Sequence, residues 1–196
     1  MTSTTAAILI LAAGGSSRLG LPKQLLQLEQ QSLLRRITEL ALGLRPAEVV
    51  VVLGFESDRI KHELDDLPVQ VVLNPAWKEG IASSIRQGIG ILPPSVDAAL
   101  IALCDQPFIP SSHFGQLITA CSSEHPIAAT AYGPSPGVPA CFDRSVFPEL
   151  LALTGDSGAK RVIGKHRHNV IAISCPEASI DIDTLADYRK HIDSSR

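Results

Sequence analysis

The sequence predicts an α/β fold with a mostly parallel central sheet and helices on both faces. Three observations carry this expectation. Short, almost wholly apolar runs recur along the chain, AAILIL (6–11), VVVVL (49–53), VQVVL (69–73) and AALIALC (98–104), and such runs suit strands buried on both faces. Between them lie segments whose apolar residues recur three or four apart, the period of a helix with one buried side. A glycine-rich stretch directly follows the first run. That is the carboxyl end of a strand, where ligands gather in open parallel sheets.

The elements follow in order. After the first strand and its glycine loop, Leu33, Ile37, Leu40 and Leu44 mark a helix. VVVVL is stopped by Gly54, and Ser57 is placed to cap a short helix whose Ile60 and Leu64 share a face. VQVVL is broken by Asn74-Pro75, and Ile81, Ile85 and Ile89 sit four apart on the next helix. AALIALC ends at Asp105. In the second half, Phe114, Leu117, Ile118 and Cys121 mark a helix, IAATAY (127–132) a strand, and residues 133–137 a loop. Residues 148–153 and 159–165 read as helices, VIAIS (170–174) and SIDID (179–183) as strands, and 185–192 as a closing helix. Strand–helix alternation implies parallel strands covered on both sides. With no linker or repeat, residues 1–196 read as one domain.

Composition narrows the function classes. Hydrophobic residues make up 45% and charged residues 19% of the 196, and the net charge is -3. No broad basic surface is available for long nucleic-acid backbones. No apolar run approaches the roughly 20 residues a membrane span needs. The N-terminus lacks a positively charged leader region. Cys104, Cys121, Cys141 and Cys175 show no CxxC pairing. They read as reduced, buried thiols, and the expected location is the cytoplasm.

The chemistry concentrates in LAAGGSSRLGLPKQLL (11–26). It is not GxGxxG, and it half-fits GxxxxGK[ST], with Gly15 and Gly20 correctly spaced but Leu21 where the lysine belongs. Glycines let the backbone bend and approach a ligand closely, and successive N–H groups form a concavity for anions. Arg18 adds a planar fork for phosphate oxygens and Lys23 a point charge. Two cations beside a glycine nest fit a triphosphate better than a single carboxylate. Asp105, at the end of an apolar strand, is costly without a partner there, which makes it a metal candidate. KHRH (165–168), by contrast, has no acidic or cysteine neighbour in sequence and reads as a solvated basic turn.

Residues 11–26 resemble the LAAGxSxRxGxPKxLL signature of the nucleotidyltransferases that modify the molybdenum cofactor, and more narrowly the molybdenum cofactor cytidylyltransferases. Five further segments are similar to that family in order: NPAWKEGIASSIRQG (74–88), LCDQP (103–107), GVPACF (137–142), TGDSGAK (154–160) and DIDTLADY (181–188). The resemblance implies a single-domain Rossmann-like (GT-A-like) nucleotidyltransferase. Its reaction would be Mg²⁺-dependent transfer of CMP from CTP to molybdopterin, with release of pyrophosphate. Leu11, Ala12, Ala13, Gly14, Gly15, Arg18, Lys23, Asn74, Ser84 and Asp105 would bind the nucleotide. Arg18, Lys23 and Asp105 would carry catalysis, and Asp105 with Asp183 (or Asp181) would hold the metal. Gly137, Pro139, Asp156 and Lys160 would face the acceptor. Recipient molybdoenzymes or their maturation chaperones are the implied partners, with neither nucleic acid nor membrane among them.

LAAG and DQP, rather than LAGG and DTP, are the reason for expecting CTP instead of GTP. The chain departs from the family pattern at Val138, which replaces a histidine, at Pro134-Ser135-Pro136, which lack the usual arginine, and at Leu185, which replaces a proline. All three lie in the acceptor half. GTP as donor, a sugar or alditol phosphate as acceptor, and a non-catalytic cofactor-binding chaperone are the rival expectations.

Overall fold

The computed structural model describes residues 4–17 and 19–192, the last two by backbone alone. Strands β1 (Ala6–Ala12), β4 (Glu48–Leu53), β5 (Gln70–Leu73), β6 (Ala98–Leu103), β7 (Ile127–Ala131), β8 (Gly137–Asp143) and β9 (Val170–Ser174) form one sheet in the order β5-β4-β1-β6-β8-β7-β9. β2 (Gln27–Leu28) and β3 (Gln31–Ser32) pair as a small separate hairpin. All neighbours in the large sheet run parallel except β8, which is antiparallel to both β6 and β7.

Side-chain alternation sends the two faces of each buried strand into different cores. Leu9, Leu11, Val50, Val52 and Ile101 face one way, against α3 (Ile81–Gly90), α5 (Phe147–Leu151) and α6 (Ala159–Lys165). Ile8, Ile10, Val49, Val51 and Leu100 face the other, against α1 (Leu33–Gly43), α2 (Ser57–Ile60) and α4 (Ser111–Ala120). Every residue of β1 is buried. Each large aliphatic side chain withdrawn in this way contributes about 1.5–3 kcal/mol. The chain closes with α7 (Leu185–Ile192). No helix among the described residues is long and apolar enough to cross a membrane. All four cysteines are buried and unpaired.

The mostly parallel sheet with helices on both faces is as the sequence predicts, with four differences. Strand β8 was not expected, because GVPACFD carries a glycine and a proline, which argue against an interior strand. SIDID is not a sheet strand: residues 176–179 form a 3₁₀ turn, and the extended chain beyond it bonds to a loop, with the Ile182 N–H on the Asp105 carbonyl (2.9 Å). Ser57 is the first residue of its helix rather than the cap, and the helix tightens to a 3₁₀ turn from Lys61 to Leu64, although Ile60 and Leu64 are buried as expected. His166 and Lys165 are not merely solvated, since both meet Glu149, at 2.5 and 3.3 Å.

Strand order positions the site. The chain runs outward from β1 to β4 and β5, then returns to β6 on the other side of β1. The reversal lies between β1 and β6, so the crevice that binds ligands in such sheets falls outside the carboxyl ends of these two strands.

Candidate active site

Two loops leave that crevice, one after β1 and one after β6. The first is held by a residue that the sequence signature treats as variable. Gln24 is buried, and its amide donates to the carbonyls of Ala12 (2.7 Å) and Gly14 (2.9 Å). The Ala13 carbonyl accepts from the Phe55 N–H (3.1 Å). Ser16, at a φ of 50°, turns the chain back, and its hydroxyl accepts from the Lys23 N–H (3.1 Å). Pro22 then starts a one-turn 3₁₀ helix that presents Lys23. Arg18 lies outside the described residues.

Lys23 reaches across the crevice. Its ammonium lies 2.7 Å from Asp105 Oδ2 and 2.8 Å from Asp183 Oδ1, residues 82 and 160 positions away in sequence. The three side chains are 17%, 17% and 30% exposed. Burial works against the lysine charge, but Asp105 and Asp183 outweigh it and keep the ammonium protonated well above the ordinary lysine range. Asp183 arrives through a strap laid along the Asp105 loop. The Gln106 amide donates to the Ala178 carbonyl (2.9 Å), Ile182 bonds Asp105, and the Tyr188 hydroxyl donates to the Gln27 carbonyl (2.8 Å). Ile182 is buried among Leu19, Leu26, Leu28 and Leu33, so the strap is also packed against the glycine loop.

Asp181 belongs to the same electrostatic neighbourhood. Partial burial raises its carboxyl above the usual range, the Asp105 and Asp183 charges add to this, and Lys23 opposes it. Asp183, not Asp181, shares Lys23 with Asp105. The residues present fit a divalent cation. Asp105 Oδ1 is buried with no hydrogen-bond partner, and two carboxylates supply the hard oxygen donors that Mg²⁺ prefers. No group of three such ligating side chains occurs among the described residues. The remaining ligands of such an ion would have to come from outside these side chains.

A cleft of about 370 Å³ opens beside this charged group. It is lined by Leu11–Gly15 of the glycine loop, by Lys23, Gln24 and Asp105, and by Trp77, Lys78, Ile81 and Ser84. Trp77 is pressed between Gly54 and Gly15 and packs edge-on against Phe55, with ring centroids 5.6 Å apart. A second hollow of about 230 Å³ adjoins it through Leu11, Ile81, Leu103 and Asp156. That hollow is lined by Ile85, Ile101 and Val138, with Lys160 at its edge.

Some sequence-predicted residues lie elsewhere. Asn74 is buried behind the cleft, where its amide donates to the hydroxyls of Ser83 (2.8 Å) and Ser84 (3.0 Å) and its oxygen accepts from the Ala76 N–H (3.0 Å). These bonds make Asn74 a fastener for the start of α3, and Ser84 alone of the three lines the cleft. Gly137 and Pro139 are buried away from the hollow. Strand alternation points Val138, the residue between them, into it. Asp156 and Lys160 do line it. The sequence reading missed Gln24, Lys78, Ile81 and Gly80. Gly80 has a φ of 118°, and a Cβ there would strike Gly155 and Asp156.

Comparison with known proteins gives a consistent family. Nicotine blue oxidoreductase from Paenarthrobacter nicotinovorans is 31% identical over 90% of this chain and 91% of its own length. The bifunctional protein GlmU of Streptomyces griseus is 30% identical over 68% of this chain, a match spanning 30% of that protein. Among solved structures, Rv0371c from Mycobacterium tuberculosis superposes with a TM-score of 0.84 at 28% identity, covering 98% of this chain and 100% of that one. A manganese complex of Rv0371c superposes at 0.81 with 26% identity, covering 97% and 100%. The model of the MobA-like NTP transferase domain matches residues 8–170, and the chain belongs to that family of nucleotidyltransferases.

Proposed function

We propose that this protein transfers CMP from CTP to the terminal phosphate of molybdopterin, forming the cytosine dinucleotide cofactor and pyrophosphate with Mg²⁺ as cofactor. The observation that carries this reading is the convergence of Lys23, Asp105 and Asp183 at the mouth of a cleft walled by Leu11–Gly15. The acceptor phosphate oxygen attacks the α-phosphorus, and the bond to the β-phosphate oxygen breaks. The protein's part is to position the reactants and neutralise charge. Residues 11–15 receive the nucleotide, and Lys23 with Arg18 grips the triphosphate and the departing pyrophosphate. Asp105 and Asp183 would hold the metal ion, which supplies charge neutralisation at the phosphates. No general base is required, because a phosphate monoester with a second pKa of about 6 is already ionised at neutral pH. Asp156 and Lys160, on the adjoining hollow, face the acceptor.

Pyrophosphate release, measured with CTP, GTP and ATP with and without molybdopterin, tests this. The reading expects release only with molybdopterin, and fastest with CTP. Faster release with GTP moves the donor assignment. Release with a sugar or alditol phosphate moves the acceptor assignment. The relative named nicotine blue oxidoreductase, similar over nearly the whole chain, motivates a second reading, redox chemistry on a related pigment. Consumption of reduced nicotinamide with nicotine blue in the absence of any NTP would favour it.

A further inference from the structure

We propose that Lys23 serves as a removable counter-ion that reserves the metal site until nucleotide arrives, so that metal and nucleotide each bind tightly only with the other. The inference rests on the nucleotidyl-transfer reading above and gives Lys23 a second position. Its ammonium now bridges Asp105 Oδ2 and Asp183 Oδ1 at 2.7 and 2.8 Å. Mg²⁺ bound to carboxylates sits about 2.0–2.1 Å from its oxygens. An ion held by these same two oxygens would therefore occupy nearly the same point as the lysine nitrogen, and the two would exclude each other.

The surroundings let the lysine leave only by exchange. The Lys23 backbone is pinned, its N–H on the Ser16 hydroxyl and the following Gln24 side chain clamped to Ala12 and Gly14. The four-carbon side chain is the part free to move. Withdrawing the ammonium without a replacement would take a cation from Asp105 Oδ2 and from Asp183 Oδ1, with the Asp181 carboxylate in the same neighbourhood. It would also strip a mostly buried lysine of both its anions.

A triphosphate in the cleft offers the lysine new oxygens, and a divalent ion offers the aspartates a new cation. Either ligand alone satisfies only one side of the exchange. By thermodynamic reciprocity, the factor by which nucleotide tightens metal binding equals the factor by which metal tightens nucleotide binding. Couplings of this kind are on the order of 5–150-fold.

The test is direct binding of Mn²⁺ alone, followed by the paramagnetic signal of the free ion, to wild type and to Lys23→Met and Lys23→Gln. The second variant guards against misfolding of the first, and circular dichroism checks both. The counter-ion role predicts Mn²⁺ affinity raised roughly ten-fold or more in the variants, and abolished again when Asp105→Asn is added. Equal or weaker Mn²⁺ binding by both folded variants overturns the proposal. Calorimetric titration of CTP into wild type with saturating Mn²⁺ is the separate arm. Absence of binding there by CTP, and by GTP and ATP in its place, refutes the nucleotidyl-transfer reading, whereas nucleotide binding without tighter Mn²⁺ uptake by the variants refutes the counter-ion alone.

Discussion

Replacement of Asp105 by alanine separates the demands of catalysis from those of folding. Asp105 Oδ2 is one of two anions on Lys23, and Oδ1 is buried without a partner. Losing a hydrogen bond to a charged group costs about 1.5–3 kcal/mol, while removing an unsatisfied buried acceptor returns about 1–3 kcal/mol. Lys23 keeps Asp183 at 2.8 Å, and the shortened side chain opens onto the cleft rather than leaving a sealed void. The two effects offset, so Asp105→Ala should fold with its stability changed by about 1 kcal/mol or less. For a chain of this size that is a Tm shift of roughly 2–4 °C. Turnover should instead fall by about 10²–10³-fold, the usual loss when one preorganised charge-stabilising group is removed. Thermal denaturation and pyrophosphate release on the same preparation measure both. A Tm lowered by more than about 8 °C would make Asp105 a structural residue, and undiminished turnover would remove it from the metal site.

Gln24→Ala deletes both bonds to the Ala12 and Gly14 carbonyls. Calorimetry should show nucleotide Kd raised roughly ten-fold, the equivalent of about 1.4 kcal/mol, and an unchanged Kd would mean that the loop holds its shape without the clamp. Gly80→Ala forces a Cβ onto a residue at φ 118° and against Gly155 and Asp156. It should cost about 2–3 kcal/mol, seen as a Tm lowered by roughly 4–12 °C. His113 is buried with Nε2 2.8 Å from the Thr130 hydroxyl, which itself donates to the Pro139 carbonyl (2.5 Å). Nε2 therefore donates to that hydroxyl. Burial lowers its pKa, with Glu177 and Gln116 opposing. The unfolded chain takes up this proton first, so stability is complete above a pH of about 6.5 and falls as the pH drops through that value. Denaturant melts at successive pH values should show less acid sensitivity for His113→Gln than for wild type, and equal slopes would exclude His113 as a source of acid sensitivity.

Much of the donor half of the site is legible in the chain because it depends on local rules. β1, β4 and β6 are buried on both faces and read as apolar runs. A glycine loop with a lysine, and an aspartate closing an apolar strand, announce themselves by composition. What is not legible is contact between residues 82 and 160 positions apart. The composition of DIDT does not place it beside Asp105; the family resemblance alone implies that pairing, and it depends on the Ile182–Asp105 bond and on Ile182 packing among leucines of another segment. Asn74 shows the opposite failure. A buried amide after a strand is equally suited to a ligand and to the serines nine and ten residues on, and those bonds took it.

The acceptor half is obscure for a topological reason. β8 runs against its neighbours, pairing Ala98 with Asp143 and Ile101 with Ala140, so its beginning rather than its end reaches the ligand side of the sheet. Residues entering that strand, Val138 first among them, therefore stand beside Leu103, where the parallel strands deliver their last residues. The strand is built from a glycine, a proline and small residues, and its placement depends on pairing with β6 and β7 rather than on its own propensity. The proposed donor site is thus built where the parallel strand order reverses, and one wall of the proposed acceptor hollow comes from β8. Substitutions at Val138 should accordingly change acceptor KM more than the Kd for CTP, because Val138 lines the hollow and not the cleft. A Val138→Phe variant, with its larger ring in the hollow, provides that measurement, and a matching loss of CTP affinity would show that donor and acceptor share one pocket.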